Sequence, residues 1–307
     1  MEIGKGRDEK SEWVDKQPPI WKGYWGPYQK LQLATILTSV FHLVEAVIIL
    51  AFNNNASIPM HISLQLWPEH GSKGSFAPYT MAVGHFSLEG AIAAFFFLSF
   101  VFQFGAVTFF WETYQSRLYA KAMQPYRFLE YSISASLMTV IFAILFGIQE
   151  ADYIIVLFVG QATVMLLGLL QEYQIVYKRA LRDNLQWWEF FMPHAIGWLL
   201  FSAIVSIFII RFVYTVNKSL EMHNSKAPKW VYAVIATQML FFASFGFNQT
   251  FSQYRIYKVY DDIAQCAKIA LQHEYVYIFL SIGAKSTLAW LLYGNMLAVQ
   301  DLKYHAL

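Results

Sequence analysis

The chain of 307 residues is 57% hydrophobic and 18% aromatic but only 14% charged, a composition that excludes an ordinary soluble domain and points to a membrane protein. Its formal net charge of +2 excludes nucleic-acid binding driven by bulk electrostatics. One cysteine, Cys266, excludes an internal disulfide framework. The first 30 residues are polar and charged around Pro18 and Pro19. They lack the apolar core of a cleavable signal peptide, and Trp21, Tyr24 and Trp25 suit a membrane interface.

Seven apolar stretches follow, at approximately 31–53, 83–110, 122–148, 153–175, 188–212, 230–253 and 273–298. Each can cross a hydrocarbon core about 30 Å thick, and backbone satisfaction in lipid makes them helices. The expected fold is all-α, a seven-helix membrane bundle. Outside the helices, fourteen Lys and Arg fall on the side of the N-terminus and six on the other, which predicts a cytoplasmic N-terminus and an extracellular C-terminus. The division is a cytoplasmic segment 1–30, one membrane domain 31–298 and a tail 299–307, with Cys266 in a cytoplasmic loop.

The first helix carries His42 and Glu45, three apart and so on one face. They read as a proton-accepting site, since both side chains titrate, as a satisfied polar pair packing between helices, or with Glu45 snorkelling outward. Between helices one and two, Ile62, Leu64 and Leu66 alternate with polar residues before a Gly71, Gly74, Pro78 cluster, which predicts a short extracellular β-hairpin or flap. The sequons at Asn55 and Asn217 fall in outer connections. His85 and Glu89, four apart near the start of helix two, read as interfacial. Helix three holds Arg127 and Glu130 on one face and Ser134 one turn beyond Glu130. His194, beside Pro193 in helix five, reads as a packing residue at a kink.

Lys285 is the one charge inside the last apolar run, Tyr275 to Leu297. An intramembrane lysine costs a few kcal/mol (about 2.5–3.5) on insertion scales and marks a functional site. A desolvated amine is a nucleophile toward an aldehyde, so an imine is the expected chemistry, and retinal would make the chain a photoreceptor. A buried iminium needs a carboxylate, for which Glu130 is the best candidate; the other reading of Glu130 is a structural ion pair with Arg127. Ser281, one turn before Lys285, together with Ser134 and Ser99, supplies neutral hydrogen-bonding candidates. A polyene slot could be lined by Gln161, Met165 and Gly168, by Trp198, by Phe241, Phe242 and Phe245, and by Trp290. The eight histidines lack metal-ligand spacing, and no phosphate loop, zinc motif or nucleophile elbow is present, so neither a metal nor an enzymatic activity is expected.

The runs Arg127-Phe-Leu-Glu130-Tyr131-Ser-Ile-Ser134-Ala-Ser136, Leu170-Gln171-Glu172 and Glu274-Tyr-Val-Tyr-Ile-Phe-Leu-Ser281-Ile-Gly-Ala-Lys285-Ser-Thr-Leu-Ala-Trp290 resemble heliorhodopsins over nearly all seven helices. The most specific part is the last run, where serine stands four before the lysine in place of the aspartate of pump and channel rhodopsins. The resemblance implies all-trans retinal on Lys285 as a protonated Schiff base and Glu130 as counterion. It also implies Ser99, Ser134 and Ser281 nearby, a homodimer in the bilayer, an outer flap and the inverted topology that the charge count also gives. His42 matches a cavity histidine of the family; Gln103 stands where a second one is found, and Glu45 adds a carboxylate at a usually neutral position. Pump rhodopsins place a second carboxylate about eleven residues after the counterion, where this chain has Ile141. A light sensor read by a separate, unknown partner is therefore expected. The alternatives are a proton conductance through Glu130, His42 and Glu45, and a retinal-free transporter or receptor.

Overall fold

The computed structural model describes residues 25–52, 57–67, 77–181, 186–224, 226 and 228–304. Most of the N-terminal segment, the sequon at Asn55 and the last three residues of the tail lie outside these.

Helix α1, Pro27–Ala51, starts where Pro27 presets the first turn and the Gln29 side chain accepts from the Gly26 N–H at 3.1 Å. A two-stranded hairpin follows, β1 Ser57–Leu66 and β2 Ala77–Ser87, antiparallel with a bulge between Met60 and His61. Its bulge side is anchored: the His61 N–H donates to Gln149 O at 2.9 Å, and Met60 packs on Val140 and Ile144.

Helix α2, Leu88–Thr108, begins only after the hairpin, with the Ser87 hydroxyl accepting from the Gly90 N–H. The expected start near residue 83 is therefore corrected. The apolar run Met81 to Phe86 suits a strand as well as a helix, and pairing with β1 decides it. His85 lies in β2 opposite Pro59, so it shares no helical face with Glu89, which is buried in the first turn of α2.

A short amphipathic helix, α3 Trp111–Lys121, occupies what hydropathy reads as a loop. It ends at Ala122, whose φ of +53° lies in the left-handed region. Pro125 then opens α4, Pro125–Leu145. The remaining helices are α5 Ala151–Leu181, α6 Trp187–His223, α7 Lys229–Lys258 and α8 Ile263–Tyr304.

Among the described residues, α1, α2 and α4–α8 are the seven helices long and apolar enough to cross a membrane. The chain thus forms an all-α seven-helix bundle with one small hairpin. Neighbouring helices close a ring in the order α1, α2, α4, α5, α6, α7, α8 and back to α1.

Four of these helices exceed their sequence-based bounds at both ends, α5 by running on to Leu181 past the expected 175. The 37 residues of α6 carry Asn217 inside the helix instead of in a connection, and at about 1.5 Å per residue the helix outruns the hydrocarbon core. α7 runs on past residue 253, and the connection to α8 is brief. α8 gains about three turns before residue 273, packed on α3, so Cys266 is a buried helical residue and not a loop thiol. These added turns are amphipathic, and an apolar-run criterion misses such segments. At its other end α8 continues through Tyr304, so the expected tail is helical over most of its length.

Two apolar clusters fill the bundle. One lies around Phe95, Phe96, Ile141, Phe142 and Phe208 at mid-depth and toward the hairpin; the other lies under α3, around Leu31, Leu118, Phe190 and Ile256.

Candidate functional site

Lys285 on α8 is 3% exposed, and its Nζ donates to Glu130 Oε1 of α4 at 2.6 Å and to Ser99 Oγ of α2 at 2.5 Å. The Ser99 hydroxyl gives its own proton to Phe95 O, so its lone pairs face the amine. Both oxygens of Glu130 accept from Gln103 Nε2 at 3.1 Å, and Gln103 also reaches Ser281 Oγ at 3.5 Å. The residue at the departed histidine position thus braces Glu130 directly. The Tyr131 ring stands 5.2 Å from Nζ, a cation–π contact.

Arg127 does not pair with Glu130, which overturns the structural-pair reading. Its guanidinium bonds Glu172 of α5 at 2.7 Å, makes a second ion pair with Glu274 of α8, and lies over the rings of Tyr277 and Phe128 at 4.0 and 4.6 Å. Three residues along a helix permit the Arg127–Glu130 pair, but two carboxylates on neighbouring helices compete for the fork and leave Glu130 to Lys285.

From Lys285 a cavity with about 910 Å³ of free space runs between α4, α5, α6, α7 and α8. Of the expected lining, Ser134, Gln161, Met165, Gly168, Trp198, Phe242 and Phe245 are there. Phe241 and Trp290 are not. The Phe241 ring sits in the α7–α8 seam, over the bare Cα of Gly283, where a Cβ would come within 2.7 Å of it. Trp290, five residues past Lys285 and so about 140° around the helix, is 39% exposed and donates from Nε1 to Glu45 Oε1 at 2.9 Å. Ser281 and Ser99 lie at the amine end but do not line this cavity, and Ser134 Oγ, fully buried, makes no hydrogen bond among the described residues.

Sequence reasoning missed the rest of the α4 wall, Phe128, Tyr131 and Met138, although with Ser134 they recur at three- and four-residue spacing on one face. It also missed Phe201 and Gln249. His194 lines the cavity while bonded to Thr250 Oγ1 at 2.6 Å and to Trp198 Nε1 at 2.9 Å, so it ties α6 to α7 in the packing role expected. Gly168 and Gly246 let the rings of Phe128 and Trp198 press against their helices. A Cβ there would lie within 2.5 and 2.6 Å of the rings.

His42 and Glu45 do form a buried pair, Nδ1 to Oε2 at 3.1 Å, with the imidazole stacked on Phe96. Glu45 is 2% exposed and held by Trp290, which rules out snorkelling. Among the described residues no three His, Cys, Asp or Glu side chains are grouped as metal ligands.

A largely apolar cavity with aromatic rings in its wall, ending at a buried primary amine with a carboxylate on that amine and an orphaned serine hydroxyl in the wall, fits an extended apolar aldehyde such as retinal. The transmembrane domain of the Salpingoeca rosetta rhodopsin phosphodiesterase has a similar structure, with a TM-score of 0.52 over 94% of this chain and 88% of that one. At 11% identity the likeness shows the fold alone. No curated protein matches the sequence. The family model for heliorhodopsin matches residues 31–297, nearly the whole chain and every membrane helix. The chain therefore belongs to the heliorhodopsins, retinal-type light-sensing rhodopsins of the membrane.

Proposed function

We propose that the protein is a light sensor, without enzymatic activity of its own, that carries all-trans retinal on Lys285 and signals through a slow change in helix packing. The carrying observation is the buried Lys285 Nζ held by Glu130 and Ser99 at the end of the apolar cavity. Retinal bound there as an imine supplies light absorption and a change of shape.

The protein's own groups do the rest. Glu130 neutralises the positive charge on Nζ, and Gln103 fixes the carboxylate from α2. A shift of Nζ away from Glu130 therefore loads α2 and α4 together. Arg127, one turn from Glu130, carries that load to α5 and α8 through Glu172 and Glu274. Ile141, fully buried among apolar side chains, offers no carboxylate to return a proton on the outer side, which favours sensing over pumping. We infer further that the N-terminus is cytoplasmic, as the basic residues favour, that the protein acts as a homodimer, as the family resemblance implies, and that a separate partner reads the signal.

Adding all-trans retinal to the apoprotein is expected to produce a visible absorption band, and Lys285→Ala to produce none. A band that persists in the variant would refute the attachment site.

The second reading, a light-driven or light-gated proton conductance, is favoured by the buried His42–Glu45 pair, two titratable groups inside the membrane. Large steady photocurrents under illumination would remove the sensor reading. If Glu45 conducts, Glu45→Gln is expected to lower such currents at least tenfold, and unaltered currents would exclude it from the path.

A further inference from the structure

Beneath Glu130, toward the α3 end of the bundle, two smaller cavities lie in series. The first, with about 420 Å³ of free space, is bordered by Glu130, Gln103, Arg127 and Glu274. The second, about 220 Å³, is bordered by Arg127, Glu172, Glu274, His273 and Gln253. Arg127 and Glu274 border both, while Glu172 borders the second alone.

Among the described residues, Arg127 is the cation paired with Glu172 and Glu274, all three buried. The other groups facing them are Tyr114 of α3, Tyr131 of α4, Tyr277 and His273 of α8, and neutral Gln249, Ser252 and Gln253 of α7, with Arg255 beyond bonded to Gln272. The Tyr277 hydroxyl donates to Gln249 Oε1, so it is neutral, and His273 Nδ1 lies 2.6 Å from Asn248 Oδ1, so its side-chain contact is to an amide and not to either carboxyl. With both carboxylates ionised the cluster would hold an uncompensated negative charge inside the membrane, so one carboxyl keeps a proton.

The two carboxyls are not equivalent. Glu172 accepts from Arg127 and from the Gln124 N–H, each at 2.7 Å, whereas among the described residues Glu274 pairs with Arg127. Hydrogen bonds to the ionised form favour Glu172 as the carboxylate and Glu274 as the acid. Three buried polar atoms, His273 Nε2, Gln253 Oε1 and Gln124 Oε1, border the second cavity with no partner among the described residues, a lining that suits a hydrogen-bonding water.

We propose that Glu274 holds a proton at neutral pH and is the exchange station between Glu130 and the aqueous phase at the α3 end of the bundle. The O–H bond of the Glu274 carboxyl breaks as its proton passes to a water oxygen in either cavity, and Arg127 holds the carboxylate left behind; the return step reverses this. A proton exchange route on this face goes beyond the sensor reading and is independent of the His42–Glu45 pair.

The test has two arms. In retinal-free protein at neutral pH, infrared spectra are expected to show a carboxylic-acid C=O band, shifted in D2O, that Glu274→Gln removes. Glu274→Asp is expected to move the band and Glu172→Asp to leave it in place; the reverse pattern, or spectra unchanged in every variant, overturns the proposal. In retinal-loaded protein, Glu274→Gln is expected to slow flash-induced proton exchange with a water-soluble pH dye at least tenfold, and an unchanged rate overturns the link to Glu130. Failure to form any visible band would instead defeat the retinal reading and leave the infrared arm standing.

Discussion

Glu130→Gln is expected to shift the titration of the visible band of the retinal-loaded protein by about 2–4 pH units toward acid. Glu130 supplies the negative charge in contact with Lys285 Nζ; Ser99 supplies only lone pairs, and Gln103 donates to Glu130 without carrying charge. Removing one member of a buried ion pair costs about 3–5 kcal/mol, and about 1.4 kcal/mol corresponds to one pH unit. The carboxylate favours the proton-bearing form of the nitrogen, and the visible band belongs to that form. Without it the nitrogen surrenders its proton at lower pH, so the band present at neutral pH in the parent appears in the variant only on acidification. The check is an absorption titration of both proteins, and coincident curves would sink the counterion assignment.

The seven membrane helices were legible because each is an uninterrupted apolar run, and Lys285 and Glu130 because charges inside such runs are few. What stayed hidden depended on partners distant in the chain. Arg127 was paired with Glu130 by local spacing, yet its carboxylates come from Glu172 and Glu274, brought in by α5 and α8. Gln103 drew attention only as a departure from the family, whereas the structure makes it the brace of the Lys285 partner. The start of α2 was misread because Met81 to Phe86 satisfies the hydropathy of a helix as well as of a strand, and only pairing with β1 separates the two. Both α3 and the first turns of α8 were missed because an amphipathic helix averages to modest hydropathy. Trp290 was put in the slot from its nearness to Lys285 in sequence, but five residues turn a helical side chain away, and here toward Glu45.

The Arg127 cluster carries the other large expected effect. Arg127→Gln is expected to lower the thermal midpoint of the detergent-solubilised protein on the order of 10 °C, from a loss of about 3–5 kcal/mol when a buried cation is taken from its carboxylates. The guanidinium bonds Glu172 through Nη2 and Glu274 through Nη1 and lies against the rings of Tyr277 and Phe128, and no amide replaces that. The loss depends on pH with a definite sign. Carboxyls deprived of their cation in apolar surroundings persist as acids in the folded chain, while in the unfolded chain they ionise above about pH 4.3. The folded variant then binds more protons than the unfolded one, so its stability is greatest at low pH and falls as pH rises. The gap to the parent should therefore narrow between neutral pH and pH near 5, which paired thermal scans at the two values measure. An equal gap at both would mean that the damage comes from lost ring stacking and packing, and not from unpaired carboxylates. Glu172 and Glu274 would then bear no net charge for Arg127 to offset, against the paired arrangement from which a proton on Glu274 was inferred.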